Sequence, residues 1–266
     1  MPIRKPARYW IAALSLLLLA TPLRAAENLD APLLVEQAQA ELKRLNPQIK
    51  RTPKKAELYL ERGNVYFQMR DLPKAIADYD QALRLNDKLD DAYFGRGMAY
   101  GPAGELERAI ADLSVYLKRH PNSSLAYTKR GVRYIWKGER DNAFNDLTRA
   151  IELDPNNAEA HDDLGVLYAQ RGELNQAAQH FATTIRIEPG YQKAHHNMAL
   201  TLTLGGQLDR ALVSINEALQ LQNTRESLML KSMILERLGR TEEAQWLKDE
   251  AAQTAEGGWT ERAPVR

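Results

Sequence analysis

The feature that most constrains this chain is a repeat with a period of 34 residues. Alanine recurs at Ala75, Ala109, Ala143, Ala177 and Ala211, and tyrosine recurs at Tyr66, Tyr100, Tyr134 and Tyr168. Proline follows the same interval at Pro121, Pro155 and Pro189. Because three residue types keep one register, each period is predicted to be one structural unit that stacks on its neighbours.

Each period contains two helical patterns. In the period from Ala158, a first stripe with i, i+3, i+4, i+7 spacing comprises His161, Leu164, Gly165 and Tyr168, and a second comprises Leu174, Ala177, Phe181 and Ile185. Gly172 stands between the two stripes, where a helix end favours a left-handed residue, and Pro189 ends the second helix. The pattern therefore predicts one pair of packed helices per period.

These motifs resemble the tetratricopeptide repeat family, whose signature runs large-x-x-Leu-Gly-x-x-Tyr, Ala-x-x-x-Phe and Pro over 34 residues. The resemblance covers repeats one to five, at 56–89, 90–123, 124–157, 158–191 and 192–224, and a partial sixth at 225–256. It implies an all-α fold, a right-handed α-solenoid of helix-turn-helix repeats. In this family the first helices line a concave face that holds extended or helical peptide segments.

Residues 1–25 are predicted to be a secretory signal peptide. Three basic residues, Arg4, Lys5 and Arg8, precede an apolar run from Tyr9 to Ala20, and cleavage is expected after Ala25. The alternative is an uncleaved anchor, which the run disfavours because a bilayer span needs about 20 apolar residues. The absence of cysteine excludes a lipoprotein anchor. A periplasmic or secreted protein of bacterial type, with no stable membrane anchor after cleavage, is the expectation.

The segments that flank the repeats are less regular. Residues 26–55 are predicted to form an N-terminal capping region, with a helix over 32–46 and a polar linker over 47–52. Residues 257–266 lack the period and are predicted to be a mobile tail.

The composition argues against several classes of function. The net charge is +1, which provides no field for nucleic acid, and the chain has no cysteine. No phosphate-binding loop, zinc motif or nucleophile elbow occurs, so we expect no enzyme activity and no cofactor. The histidines are His120, His161, His180, His195 and His196. A metal site among them is conceivable, but packing between helices is the favoured interpretation, and we expect no metal.

An arginine recurs within the first-helix stripe of the first three repeats, and an aspartate follows it 16 residues later. The pairs are Arg62 with Asp78, Arg96 with Asp112, and Arg130 with Asp146. In repeats four and five both members change together, to Leu164 with His180 and to Met198 with Ser214. We therefore predict a structural ion pair within each of the first three hairpins, because a lone buried arginine is costly. Pairing with the aspartate of the preceding repeat is the alternative.

The opposite face of the first helices is predicted to be a groove for a partner, centred on Trp136. Its candidate residues are Asn64, Phe67, Phe94, Met98, Val132, Ile135, Trp136, Val166, His196 and Leu200. Phe94 and Trp136 are expected to be exposed, because an aromatic anchor suits a protein interface. For Val132 and Ile135 the alternative is packing against adjacent first helices.

The leading functional hypothesis is an extracytoplasmic adaptor that binds a protein or peptide segment in the cell envelope, in envelope assembly or maturation. The alternative is a structural scaffold that self-associates into a homo-oligomer. The sequence favours the adaptor only through the family resemblance and the predicted groove.

Overall fold

A computed structural model describes residues 35–254, and these form thirteen helices with no strand. The helices are α1 (Val35–Arg51), α2 (Ala56–Gln68), α3 (Leu72–Leu85), α4 (Asp90–Tyr100), α5 (Leu106–Arg119), α6 (Ser124–Lys137), α7 (Arg140–Leu153), α8 (Ala158–Gln170), α9 (Leu174–Ile187), α10 (Gln192–Leu204), α11 (Leu208–Leu221), α12 (Arg225–Arg237) and α13 (Thr241–Gln253). The predicted signal peptide and the predicted tail from residue 257 lie outside the described residues.

The twelve helices after α1 form six antiparallel pairs, stacked in chain order. The first helix of every pair begins at the predicted first residue of its repeat, from Ala56 to Arg225. Each first helix packs on its partner and on the helix that precedes it in the chain, which is α1 for α2 and the second helix of the preceding pair for the others. The all-α solenoid that the 34-residue period predicts is therefore confirmed.

Small residues let the two helices of a pair approach each other. A Cβ atom added at Gly165 would lie 2.7 Å from the Phe181 ring, and Ala177 opposite is fully buried. The turn between the helices needs a left-handed residue, and Gly172 supplies it with a φ of 78°. In repeat one the same place is held by Arg70, with a φ of 62°. The glycine series of the sequence thus serves close packing and turn geometry.

The three arginines bind the aspartates of their own hairpins, as predicted, and also reach the preceding element. Arg96 donates from Nε and Nη2 to the two carboxylate oxygens of Asp112, at 2.7 and 2.8 Å. Its remaining nitrogen, Nη1, donates to Asp80 at 2.6 Å. Arg62 and Arg130 repeat the arrangement, with Asn46 and Ser114 as the third acceptors. We call this three-armed contact the arginine clamp; it joins successive units as well as the helices of one hairpin.

The clamp series stops between repeats three and four. Thr148 follows Asn46, Asp80 and Ser114 in the period, so its hydroxyl stands where a fourth clamp would find its third acceptor. Leu164 replaces the arginine there, and the buried Thr148 Oγ1 has no hydrogen-bond partner among the described atoms. The place of the aspartate is taken by His180, which contacts His161.

One local expectation differs from the structure. The predicted linker over 47–52 is wrong, because α1 continues through Pro47 to Arg51. Leu45 and Ile49 pack on Leu58 and Val65 of α2, and this burial offsets the backbone hydrogen bond that proline removes.

Candidate functional site

The first helices line one face of the array, and their mutual contacts indicate that this face is the inner one. α2 contacts α4, α6 contacts α8, and α10 contacts both α8 and α12. No contact of comparable extent joins successive second helices in the described part of the chain. Because the first helices lie closer together, the face that they form is concave. We call it the first-helix face.

The part of this face in repeats one to three is filled by the core, so the predicted groove centred on Trp136 is wrong there. Phe94 and Met98 are each 1% exposed, and Phe67 and Val132 are also buried. The Phe94 ring lies 5.0 Å from the ring of Tyr116 on α5. The physical reason is that α4 and α6 bury residues on several sides of each helix, because neighbouring helices pack on both sides of them.

Trp136 is half-buried and is covered by a cation. The guanidinium of Arg133 lies 4.5 Å from the Trp136 ring centre, and Arg133 Nη2 lies 3.7 Å from Met98 Sδ. Arg133 itself is 1% exposed, and Gly101 at the end of α4 leaves the space that its guanidinium occupies. Ile135 is half-buried against the core cluster of repeats three and four. The predicted aromatic anchor is therefore part of the packing and not an open contact point.

Polar side chains bridge the first helices in the middle of the face. Lys129 Nζ on α6 lies 2.9 Å from Glu159 Oε2 on α8, and Lys193 Nζ on α10 lies 2.8 Å from Asp162 Oδ2. Lys129 and Asp162 are buried. Val166 is half-buried beside them. Asn64, at the other end of the face, accepts a hydrogen bond from Tyr79 Oη at 2.8 Å. These contacts stabilise the stack and leave little open surface.

The face opens in repeats five and six. Leu200 and Leu204 lie one turn apart on α10 and are 39% and 59% exposed, while Met229 and Met233 lie one turn apart on α12 and are 44% and 49% exposed. All four occupy first-helix-face places in their repeats. We call this group the apolar patch. Leu200 is the one predicted groove residue that belongs to it.

Hydrogen bonds hold the two helices of the apolar patch at both ends. At one end, Ser227 Oγ lies 3.0 Å from His196 Nδ1 and accepts from Gln192 Nε2 at 3.2 Å. At the other end, Arg237 Nη1 donates to the backbone carbonyl of Thr203 at 2.7 Å. The predicted groove residue His196 is therefore a half-buried positioning group at the edge of the patch. The exposed leucines and methionines lie on a fixed framework between these contacts.

Three residues of the apolar patch were absent from the sequence prediction. Leu204, Met229 and Met233 carry a detectable signal, because they stand at the repeat places that were used to choose Trp136, His196 and Leu200, respectively. The helical period identifies which places lie on this face. It does not distinguish a place that an adjacent helix covers from one that stays open.

Burial depresses the basicity of three histidines. It lowers the pKa of His196 to about 4 and that of His180 to about 4. Burial also lowers the pKa of His161, although the carbonyl of Pro155 opposes the shift.

Over residues 35–254, no cluster of three or more metal-ligating side chains occurs. No helix in this range has the length and apolar character that a membrane span requires.

The sequence matches two family models within the repeats. Residues 63–101 and 131–170 match a model described as TPR repeat, and residues 91–123 match one described as Tetratricopeptide repeat. Together with the six helix pairs and their 34-residue period, these matches identify the chain as a tetratricopeptide repeat protein. No curated protein matches the sequence.

Solved structures share the solenoid. A chain in the crystal structure of the APC/C hetero-tetramer Cut9-Hcn1 has a TM-score of 0.72 and 17% identity, over 82% of this chain and 43% of that chain. PilW, a type IV pilus biogenesis factor, has a TM-score of 0.68 and 19% identity, over 74% of this chain and 92% of its own. YrrB, a TPR protein with an unusual peptide-binding site, has a TM-score of 0.55 and 24% identity, over 74% and 97%. The match thus spans less than half the length of the chain in the first structure.

These similarities are low in sequence and show the fold. Tetratricopeptide repeat proteins generally serve as non-enzymatic scaffolds that bind protein or peptide partners. The chain shares the repeat scaffold of this class of proteins.

Proposed function

We propose that this protein is an extracytoplasmic adaptor that binds a segment of a partner protein on the apolar patch. The proposal rests on the exposure of four apolar residues on two helices of the concave face, namely Leu200, Leu204, Met229 and Met233. Exposed apolar side chains that cluster in this way are typical of interaction sites. The methionines also suit contact with irregular partner surfaces, because their side chains are unbranched and polarisable.

The extracytoplasmic part of the proposal is supported by the amino-terminal sequence. A basic start, a short apolar run and the small residue Ala25 are together typical of a secretory signal. Two proteins have a similar fold: PilW, which is described as a type IV pilus biogenesis factor, and PilF of Pseudomonas aeruginosa. Their likeness supports the proposed solenoid adaptor, and the envelope process is part of our proposal.

The test is site-specific photo-crosslinking in the native cell envelope. A photoreactive residue replaces Met233 on the apolar patch in one variant and Val213 in a control. Val213 is 64% exposed on α11, a second helix, so it matches Met233 in solvent access but not in position. We expect a discrete crosslinked product from position 233 and none from position 213. Identical crosslinking patterns from the two positions would refute the proposed binding face.

A second test uses charge. Met233→Asp is expected to abolish the crosslink from a probe at position 200, because a carboxylate in an apolar contact loses its hydration. Val213→Asp is the matched control and should leave the crosslink unchanged. Both substitutions lie on exposed surface, so neither is expected to change the unfolding midpoint of the protein.

The alternative function, a self-associating scaffold, is favoured by one observation at the carboxyl-terminal end of the described array. Trp246 on α13 is 64% exposed and borders a cavity of about 330 Å³. Lys231, Leu235 and Leu247 also line this cavity, on the side where no further described helix packs. Sedimentation velocity tests it: a scaffold predicts oligomers that Trp246→Ser dissociates, and the adaptor predicts a monomer at micromolar concentration.

A further inference from the structure

The open part of the first-helix face presents two sulfur atoms to solvent. Met229 and Met233 lie one turn apart on α12 in the apolar patch, and both are exposed. Met98 stands at the same repeat place as Met233, yet its side chain is buried. Met198 is half-buried against the core cluster of repeats five and six. Because the chain contains no cysteine, methionine supplies all of its sulfur, and two exposed thioethers stand together on the patch.

The thioether of an exposed methionine reacts with peroxides. The sulfur lone pair attacks one oxygen of hydrogen peroxide, the O–O bond breaks, and the other oxygen leaves as water. Sulfur is thereby oxidised by two electrons to a sulfoxide, and the peroxide is reduced by the same two electrons. A sulfoxide is polar and chiral, whereas the thioether is apolar and flexible. Oxidation of Met229 and Met233 therefore places two hydrogen-bond acceptors in an otherwise apolar patch.

The packing of α12 is made by side chains other than the two exposed methionines. Leu230 and Ile234, the residues that follow these methionines in the chain, are buried in the core. The hydrogen bonds of Ser227 and Arg237 that hold α12 against α10 use nitrogen and oxygen atoms. Oxidation of the two exposed sulfur atoms is thus expected to change the surface of the patch and to leave the solenoid intact.

We propose that Met229 and Met233 form an oxidation site through which a hydroperoxide releases the partner from the apolar patch. The inference rests on the proposed function, since the patch must bind a partner before oxidation can release one. Contact with a partner removes water from the patch, and a sulfoxide oxygen that loses its hydration against an apolar surface weakens the complex. Thiol-dependent reduction by methionine sulfoxide reductases restores the thioether, so the release is reversible.

The experiment compares crosslinking before and after treatment with hydrogen peroxide. A photoreactive residue replaces Leu200 in the full chain, which is expressed in the native cell envelope, and mass spectrometry measures the sulfoxide at each methionine. We expect Met229 and Met233 to oxidise about tenfold faster than the buried Met98. The crosslink yield should fall about tenfold once both carry oxygen. The purified oxidised protein should keep the unfolding midpoint of the untreated protein, and the two methionine sulfoxide reductases with a dithiol should restore the yield.

Three variants separate the patch from other targets of the peroxide. Met229→Leu/Met233→Leu keeps apolar side chains that the peroxide does not oxidise, so its yield after treatment should equal its own yield before treatment. Met69→Leu is the control, because Met69 is 39% exposed at the end of α2 in repeat one, and this variant should stay as sensitive as wild type. Met229→Gln/Met233→Gln imitates the polarity of two sulfoxides and should crosslink about tenfold less than wild type without peroxide.

Failure of the oxidation site is distinguishable from failure of the proposed function. No crosslink from the untreated protein would overturn both. A crosslink that survives oxidation at Met229 and Met233 would overturn the oxidation site alone. An equal loss in Met229→Leu/Met233→Leu would also overturn it, because the peroxide would then act elsewhere, for example on the partner. If that variant gives no crosslink before treatment, a Met229→Gln/Met233→Gln protein that crosslinks as wild type does overturns it equally.

Discussion

At the residue scale, the arginine clamp explains how a charge is accommodated inside an apolar stripe. Each clamp arginine has a bidentate aspartate and a third acceptor, and its guanidinium also lies within 6 Å of two tyrosine ring centres. For Arg96, these distances are 5.8 Å to Tyr93 and 5.7 Å to Tyr100. The planar fork of arginine can satisfy all of these contacts at once, and lysine cannot. The aspartate is buried, so its charge depends on this partner.

Removing a clamp arginine should destabilise the protein because its aspartate stays behind. Burial already raises the pKa of Asp112, and the hydrogen bonds from Arg96 oppose this shift. We expect Arg96→Leu to lower the free energy of unfolding by about 2 to 4 kcal/mol, since a buried carboxylate loses its cation. Urea denaturation measures this change in the free energy of unfolding. The double variant with Asp112→Ser should recover much of the loss, and strictly additive effects would refute the coupling.

An exposed arginine provides the matched control for this experiment. Arg108 pairs with Glu105 on the surface, and its side chain is about two-thirds exposed. Exposed ion pairs contribute about 0 to 1 kcal/mol. Arg108→Leu should therefore change the free energy of unfolding by less than about 1 kcal/mol.

A second prediction at this scale concerns the pH dependence of stability at His196. Its pKa is about 4 in the folded protein because the ring is buried, against about 6.5 in an unfolded chain. The unfolded state thus binds more protons between these values, so stability is lost as the pH falls from about 6.5 to about 4. His196→Asn should reduce this loss in the free energy of unfolding by an amount on the order of 2 kcal/mol. Parallel stability curves for the two proteins between pH 7 and 4 would contradict it.

At the element scale, the helix pair is held by close approach at small residues. α8 and α9 meet where Gly165 faces the ring of Phe181, which is fully buried. The hairpins of repeats two and three use the same device, with Gly97 against Leu113 and Gly131 against Leu147. These hairpins therefore need glycine here for space, although glycine is a weak helix former.

Gly165→Ala should destabilise the fold despite the better helix propensity of alanine. The added Cβ would lie 2.7 Å from the Phe181 ring, which is fully buried. We expect a loss of about 1 to 3 kcal/mol in thermal or urea unfolding. Gly190→Ala is the control, because a Cβ there would meet no atom within 4 Å, and it should be neutral or slightly stabilising.

At the scale of the whole molecule, α1 covers the amino-terminal end of the solenoid. Ala38, Leu45 and Ile49 form a core cluster with Leu58 and Val65 of the first repeat. Asn46 of α1 also provides the third acceptor of the first arginine clamp. Terminal repeats need such a cover, because each repeat otherwise exposes the apolar face that its neighbour would bury.

Leu45→Ala tests how strongly this cover contributes. Leu45 is fully buried, so its truncation should cost about 2 to 4 kcal/mol and lower the unfolding midpoint. Val35→Ala is the control in the same helix, because Val35 is exposed and should matter little. A Leu45→Ala protein as stable as wild type would mean that α1 is not part of the cooperative fold.

Much of this architecture could be predicted from the sequence because it follows from local periodicity. The 34-residue period defines the helix pairs, and the joint change of Arg130 to Leu164 and of Asp146 to His180 between repeats three and four identifies the clamp partners. These are correlations between places of a repeat, and one chain contains enough copies to reveal them. The Pro47 prediction failed because packing of Leu45 and Ile49 outweighs a local helix-breaking signal.

The sequence by itself determined the solenoid, the residues that face its first-helix side and the pairs that lock its hairpins. Only the tertiary structure decided which of those face residues stay open. Phe94 and Leu200 are both apolar and lie on the same face, yet Phe94 is buried by its neighbours and Leu200 is exposed. The reason is that exposure depends on how closely adjacent helices approach, which is a property of the stacked array and not of any one helix.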